Sequence, residues 1–275
     1  MHTVNANGAN IPALGFGTFR IPGDDVLRIL PKAIQLGFRH VDTAQIYGNE
    51  AEVGEAIAQS GVSRNEIFLT TKVWVDKYRH ADFIASVDES LKKLKTDHVD
   101  LLLLHWPQSD VPIAERMGSL NEVKKAGKVK NIGISNFNIE LMNKAAEASD
   151  APIATNQVEY HPYLDQSKLL EAARSKGISP TAYYLMADGK VPSDPVLKDI
   201  GAKHGKSAAQ VVLRWAVQQD GVIALSKTAT ESRLQENYDI FDFSLTDEEM
   251  QAIHGLAEPD GRIVNPGHLR PPHWD

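Results

Sequence analysis

Apolar runs with β-branched character recur down the chain, separated by segments of helical period. The runs predict strands near 13–17, 40–43, 67–73, 99–105, 131–135, 155–159, 179–184 and 222–227. In segment 24–36, Val26, Ile29, Leu30, Ala33 and Ile34 fall on one helical face, and Pro31 predicts a break or kink there. Segments 81–94, 115–126, 140–148, 167–176 and 207–218 show the same periodicity. Asn138 and Ser207 stand where helix N-caps belong, and Gly127 and Gly177 where helices stop.

Strict alternation of strand and helix implies parallel pairing with right-handed crossovers. Eight such units in 275 residues predict an α/β fold, a closed (β/α)8 TIM barrel, in one domain spanning 1–275. An open doubly wound sheet is the competing fold. Its nucleotide fingerprint is missing, because Gly15-Phe16-Gly17 leads into Thr18-Phe19-Arg20 with no third glycine opening a helix. Ahead of the first strand, two short stretches flank Asn7-Gly8, a good hairpin turn, and this hairpin is expected to cap the amino-terminal mouth of the barrel.

Composition narrows the function. A net charge of −7 provides no basic field for nucleic acid or an anionic membrane. The absence of cysteine excludes disulfides, thiolate metal sites and a cysteine nucleophile, and suits a reducing cytoplasm. The amino terminus lacks the pattern of a signal peptide, and the most apolar segment, 99–106, is too short to span a bilayer. The expectation is a cytoplasmic monomer acting on a small molecule.

Chemistry concentrates at the carboxyl ends of three successive strands, where barrel enzymes carry their active sites. Asp42 and Tyr47 come from VDTAQIYGNE, Lys72 from LTTKVW and His105 from LLLLHW. A lysine ammonium beside a phenol is expected to lower the phenol's pKa, with Asp42 holding Lys72 in place and His105 donating to a carbonyl oxygen. Such donors would stabilise the charge that develops when hydride attacks a carbonyl carbon, and the hydride has to come from a redox cofactor. Singly, each residue also fits a structural role; together at three strand ends they are far more specific.

At this point the chain resembles the aldo-keto reductases, in their shorter bacterial branch that includes 2,5-diketo-D-gluconate reductases. The resemblance runs through GFGT at 15–18, VDTAQIYGNE at 41–50, TTKVW at 70–74, DLLLLHWP at 100–107, GISNF at 133–137, NQVEYHP at 156–162 and SKTATESRLQEN at 226–237. It implies that Asp42, Tyr47, Lys72 and His105 are a catalytic tetrad with Tyr47 as general acid. It also implies NADPH lying across the carboxyl-end mouth and reduction of aldehydes or ketones, keto-sugar acids and small dicarbonyls among them. Ser135, Asn136 and Gln157 would hold the nicotinamide carboxamide, with Tyr183 stacked on its ring. Lys227, Thr228 and Arg233 resemble the family's clamp on the 2′-phosphate, with Glu236 and Asn237 beside the adenine. Gly17, Thr18, Asp42 and Leu185 complete the implied cofactor contacts, while Phe19, Trp74 and Trp106 would line the substrate pocket.

Two positions depart from the family. Tyr184-Leu185-Met186 replaces the usual Ser-Pro-Leu, adding bulk expected near the cofactor, and Ser226 replaces a proline before Lys227. The tail, 262–275, is rich in Pro, His and Arg; in the family such tails fold over the pocket, but this one has no readable motif. A barrel glycosidase would need paired carboxylates, for which Asp42 and Glu159 are the nearest candidates. Asp42 is better explained by Lys72, and Glu159 lies in a family motif without a catalytic role. The ten histidines show no metal-ligand spacing, so no metal site is expected. A non-catalytic, NADPH-sensing subunit of the same fold is the remaining alternative, and the intact tetrad weighs against it.

Overall fold

The chain begins with a hairpin, β1 (Thr3–Ala6) and β2 (Ala9–Pro12), paired antiparallel. The turn needs two residues with positive φ, supplied by Asn7 (48°) and Gly8 (90°). Asn7 then reaches the barrel: its Nδ2 donates to the carbonyl of Ile153 at 2.7 Å and to that of Lys176 at 3.1 Å. Ile153 opens a barrel strand, so the hairpin sits at the amino-terminal mouth, as the sequence predicts. The computed structural model describes residues 2–269 and 271–275; Met1, in the hairpin segment, and Arg270, in the tail, lie outside the described residues.

Eight parallel strands close the barrel: β3 (Leu14–Gly17), β4 (His40–Asp42), β5 (Phe68–Val73), β6 (Val99–Leu104), β7 (Val129–Ser135), β8 (Ile153–Glu159), β9 (Ser179–Tyr183) and β10 (Ile223–Ser226). Neighbours in sequence are neighbours in space, and β10 pairs with both β9 and β3 to close the ring. Each predicted strand is present to within a residue or two. Strand β6 is buried along its whole length because one face packs the barrel interior and the other meets helices.

Around the strands lie α1 (Gly23–Leu36), α2 (Glu50–Gln59), α3 (His80–Lys93), α4 (Ile113–Lys125), α5 (Ile139–Glu147), α6 (Ser167–Arg174), α7 (Pro195–His204), α8 (Ala208–Gln218), α9 (Ser232–Tyr238) and α10 (Asp247–His254). Asn138 caps α5 by accepting from Leu141 N–H, and Ser207 caps α8 in a reciprocal capping box with Gln210. Helix α1 stays a single element through Pro31, because its buried face of Val26, Ile29, Leu30, Ala33 and Ile34 holds both sides of the proline in register. Helices α2, α7, α9 and α10 were not resolved as helices from periodicity. Helix α7 starts at Asp194-Pro195, an N-cap and first-turn proline pair that does signal it. Among the described residues no helix is long and apolar enough to cross a membrane.

His40 opens β4 in the packed interior, with its Nε2 3.2 Å from Thr70 Oγ1. The neighbouring strand has to carry glycine here, since a Cβ on Gly15 would lie 2.7 Å from the imidazole Nδ1. Burial pushes the His40 pKa from 6.5 down to about 4, so between those values the unfolded chain binds a proton that the folded chain refuses. Stability from this residue is complete above pH 6.5 and is lost as the pH falls toward 4, by about 3 kcal/mol. Urea unfolding across that window should show the decline, and His40→Gln should flatten it; an unchanged slope in the variant would contradict the assignment.

Candidate active site

The carboxyl-terminal mouth gathers its polar groups through strand ends and the turns just beyond them. Asp42 ends β4, Tyr47 sits in the short turn Gln45–Tyr47, Lys72 is the penultimate residue of β5, and His105 follows β6. Lys72 has no solvent exposure, and its three ammonium protons have three partners: Asp42 Oδ1 at 2.6 Å, the Thr43 carbonyl at 2.8 Å and the Tyr47 hydroxyl oxygen at 3.3 Å. Because the Tyr47 oxygen accepts from Lys72, its own hydrogen is directed elsewhere, and no protein acceptor takes it among the described residues. The hydroxyl is therefore a donor aimed at whatever occupies the pocket.

The electrostatics differ from the sequence expectation. Burial and the Asp42 carboxylate hold the Tyr47 pKa well above 10. The Lys72 ammonium does not reverse this because Asp42, at contact distance, neutralises most of its field. Burial also lowers the Lys72 pKa, with Asp42 opposing that shift. His105 is pushed well below 6.5 by burial and by Lys72, so it is a neutral imidazole with a single N–H. The site in its resting form thus holds a protonated phenol and a neutral imidazole. A depressed phenol pKa is not needed for proton transfer to an alkoxide, which is a far stronger base than a phenolate.

A second set joins the first through Asp42. Gln157 Nε2 donates to Asp42 Oδ2 at 2.8 Å, and the Gln157 carbonyl accepts from Ser135 Oγ at 2.8 Å. Asn136 follows with φ of 64°, a left-handed conformation that its own bonds hold: Nδ2 donates to the His105 carbonyl at 2.9 Å, and Oδ1 accepts from the Tyr183 hydroxyl at 2.6 Å. Ser135, Asn136, Gln157 and Tyr183, which the sequence grouped, are one connected cluster. Side-chain amides with a hydroxyl are the groups that match a carboxamide, so this set fits a nicotinamide.

The cation cluster lies past β10. Lys227 and Arg233 are exposed. The Lys227 pKa is lowered by partial burial and by the Arg20 guanidinium. Arg20 is a cation the sequence reading did not assign; the only signal for it is its place directly after the first strand. Positive charge gathered in this way suits a phosphate. Thr228 is buried, and its hydroxyl turns into its own loop, accepting from Thr230 N–H at 2.9 Å. Glu236 accepts from Ser207 Oγ at 2.5 Å, which engages one carboxylate oxygen, and Asn237 is buried. Thr18, just past Gly17, donates its hydroxyl to the Asp42 carbonyl at 3.1 Å.

The Leu185 side chain packs against the hydrophobic core just past β9. Tyr184, in the position of the usual serine, takes a left-handed turn with φ of 65°. Ser226 remains a strand residue, its hydroxyl 3.4 Å from the Gly15 carbonyl. Aromatic rings surround the tetrad: Phe19 lies 5.0 Å from the Tyr47 ring, Trp74 lies 5.1 Å from His105, and Trp106 meets Trp274 of the tail at 6.4 Å. No group of three or more His, Asp or Glu side chains among the described residues is arranged to hold a metal ion.

A parallel eight-stranded barrel with a buried acid, amine and imidazole and a half-buried phenol at its carboxyl-terminal mouth is an enzyme with the groups to move a proton. The chain belongs to the aldo/keto reductase family, whose sequence model matches residues 13–258. It is 47% identical over 268 residues to methylglyoxal reductase DkgB of Salmonella typhimurium, covering 96% of this chain and 99% of that one. A crystal structure provisionally assigned as 2,5-diketo-D-gluconic acid reductase B superposes with a TM-score of 0.99 at 72% identity, covering 100% of this chain and 98% of the other. The Bombyx mori aldo-keto reductase in complex with NADP superposes with a TM-score of 0.92 at 31% identity, covering 98% of this chain and 96% of that one.

Asn49 escaped the sequence reading although it lies inside VDTAQIYGNE. Buried, it accepts from Thr43 Oγ1 at 2.9 Å and donates to the carbonyls of Thr18 and Ile21 at 3.0 and 3.1 Å, tying the first two mouth loops together. Asn49→Ala strands the Ile21 carbonyl and the Thr43 hydroxyl in the interior, while the Thr18 carbonyl keeps the Ile21 N–H at 3.1 Å, and it should cost about 2–4 kcal/mol of unfolding free energy. Denaturant titration would reveal the loss, and a loss below about 1 kcal/mol would show that water replaces the amide.

Proposed function

We propose that this protein reduces small aldehydes, ketones or dicarbonyl compounds to alcohols with NADPH. The observation that carries the proposal is the Tyr47 hydroxyl, held by Lys72 with its hydrogen free to face the pocket. NADPH, when bound, would supply the hydride chemistry. His105 donates its one N–H to the carbonyl oxygen and polarises it, and Tyr47 protonates that oxygen as negative charge develops. Lys72 then stabilises the phenolate, and Asp42 keeps Lys72 in place. Phe19, Trp74 and Trp106 keep water from the reacting centre. Ser135, Asn136 and Gln157 would hold the carboxamide, Tyr183 would pack on the ring, and Lys227 and Arg233 would receive the 2′-phosphate. The names of the relatives point to methylglyoxal and 2,5-diketo-D-gluconate as the substrates to try first.

NADPH oxidation should be followed against a panel of aldehydes, dicarbonyls and keto acids. Tyr47→Phe should lower turnover by roughly 10²–10⁴ with NADPH affinity nearly unchanged. Full activity in that variant would remove Tyr47 from the mechanism. Arg233→Ala should weaken NADPH binding on the order of tenfold to a hundredfold and NADH binding far less. Equal losses for both cofactors by fluorescence titration would remove Arg233 from the phosphate site.

A further inference from the structure

Glu159 is the last residue of β8, two positions beyond Gln157 and on the same face of the strand. Its side chain is completely buried, which is costly for a carboxylate without close compensation. The compensation comes mostly from the tail. Oε1 accepts from Ile263 N–H at 2.7 Å and lies 3.0 Å from His161 Nε2, while Oε2 accepts from Val264 N–H at 2.9 Å and from Arg262 Nη1 at 3.4 Å. Three consecutive tail residues thus converge on one buried charge. The same tail closes on itself: Trp274 lies over the Arg262 guanidinium at 3.7 Å and donates from Nε1 to Asn265 Oδ1 at 3.2 Å. Its far end is fixed at the start of α5, where Asn138 Nδ2 donates to the His273 carbonyl and Ile139 N–H donates to Asp275 Oδ2. Between the two anchors, Trp274 is set against Trp106.

We propose that Glu159 is a positioning residue for substrate recognition: it fixes the tail so that Trp274 completes, with Trp106, the apolar wall of the carbonyl pocket. Glu159 does this without touching substrate or cofactor, and the proposal rests on the pocket assigned under the proposed function. Docking and charge depend on each other. The carboxylate is tolerated in the interior because the tail's N–H groups reach it, and those N–H groups have no equivalent acceptor if the charge is removed. Glu159→Gln keeps the shape but turns an amide N–H toward a backbone N–H, which breaks one anchor bond and removes the charge from the rest.

The test combines Glu159→Gln, Trp274→Ala and the double variant, measuring kcat and KM for the best carbonyl substrate, NADPH affinity, and the rate of proteolytic cleavage within the tail. Glu159→Gln should raise KM on the order of tenfold, the loss expected for a hydrogen bond to a charged group, with kcat and NADPH affinity close to wild type and faster tail cleavage. In the Trp274→Ala background the same substitution should add less than about twofold, because its effect passes through that indole. An undiminished effect in that background, or an unchanged KM with unchanged cleavage, overturns the proposal. Loss of NADPH affinity together with thermal stability also overturns it, marking Glu159 as an ordinary barrel residue. If the wild-type protein reduces no carbonyl compound, the functional proposal fails, while tail cleavage still decides whether Glu159 holds the tail.

Discussion

The Asp42 carboxylate is the contact on which the mouth of this barrel depends. One oxygen takes the Lys72 ammonium and the other takes the Gln157 amide, so a single buried anion holds groups from β4, β5 and β8 in one frame. A buried ion pair repays its desolvation only with good geometry and further hydrogen bonds. Here the Thr43 carbonyl and the Tyr47 oxygen use the remaining ammonium protons, so no charge or donor on Lys72 is left unmatched. Removing either partner would strand the other inside the barrel, so the pair fixes the geometry of the site as much as its charge.

That neutralised pair explains the protonation state of its neighbours. Since Asp42 cancels most of the ammonium field, burial dominates at Tyr47 and His105 and leaves both uncharged. Two neutral donors beside an apolar ring of Phe19, Trp74 and Trp106 cost little to keep dry, yet both can respond to charge appearing on an oxygen between them. The design places polarity where charge will develop and withholds net charge until then.

Much of this was legible along the chain. The strands could be read because parallel barrel strands are buried on both faces and appear as continuous apolar runs, β6 most clearly. The candidate tetrad could be read because its members gather at the ends of three successive runs, a coincidence more specific than any one of them. Helices α2 and α7 are harder to read because each carries a glycine on its buried face, and α9 and α10 because each buries a single apolar side chain. The raised pKa of Tyr47 is not legible along the chain, because it depends on burial and on how closely the Asp42 carboxylate approaches Lys72, which are distances in space. The order of residues after β9 likewise does not say which side chain turns inward once Tyr184 adopts a left-handed turn, and it is Leu185 that packs on the core.

The order of residues fixed the barrel, its hairpin plug and the candidates for the reacting groups, since burial pattern and strand-end position are local properties of a chain. Three-dimensional packing fixed the rest. Whether Lys72 serves Asp42 or Tyr47, whether Arg20 stands near Lys227, and how residues 262–264 find Glu159 across about a hundred intervening residues are questions of distance in space. Such contacts leave no periodic trace, because each depends on the direction of one side chain at the end of a strand.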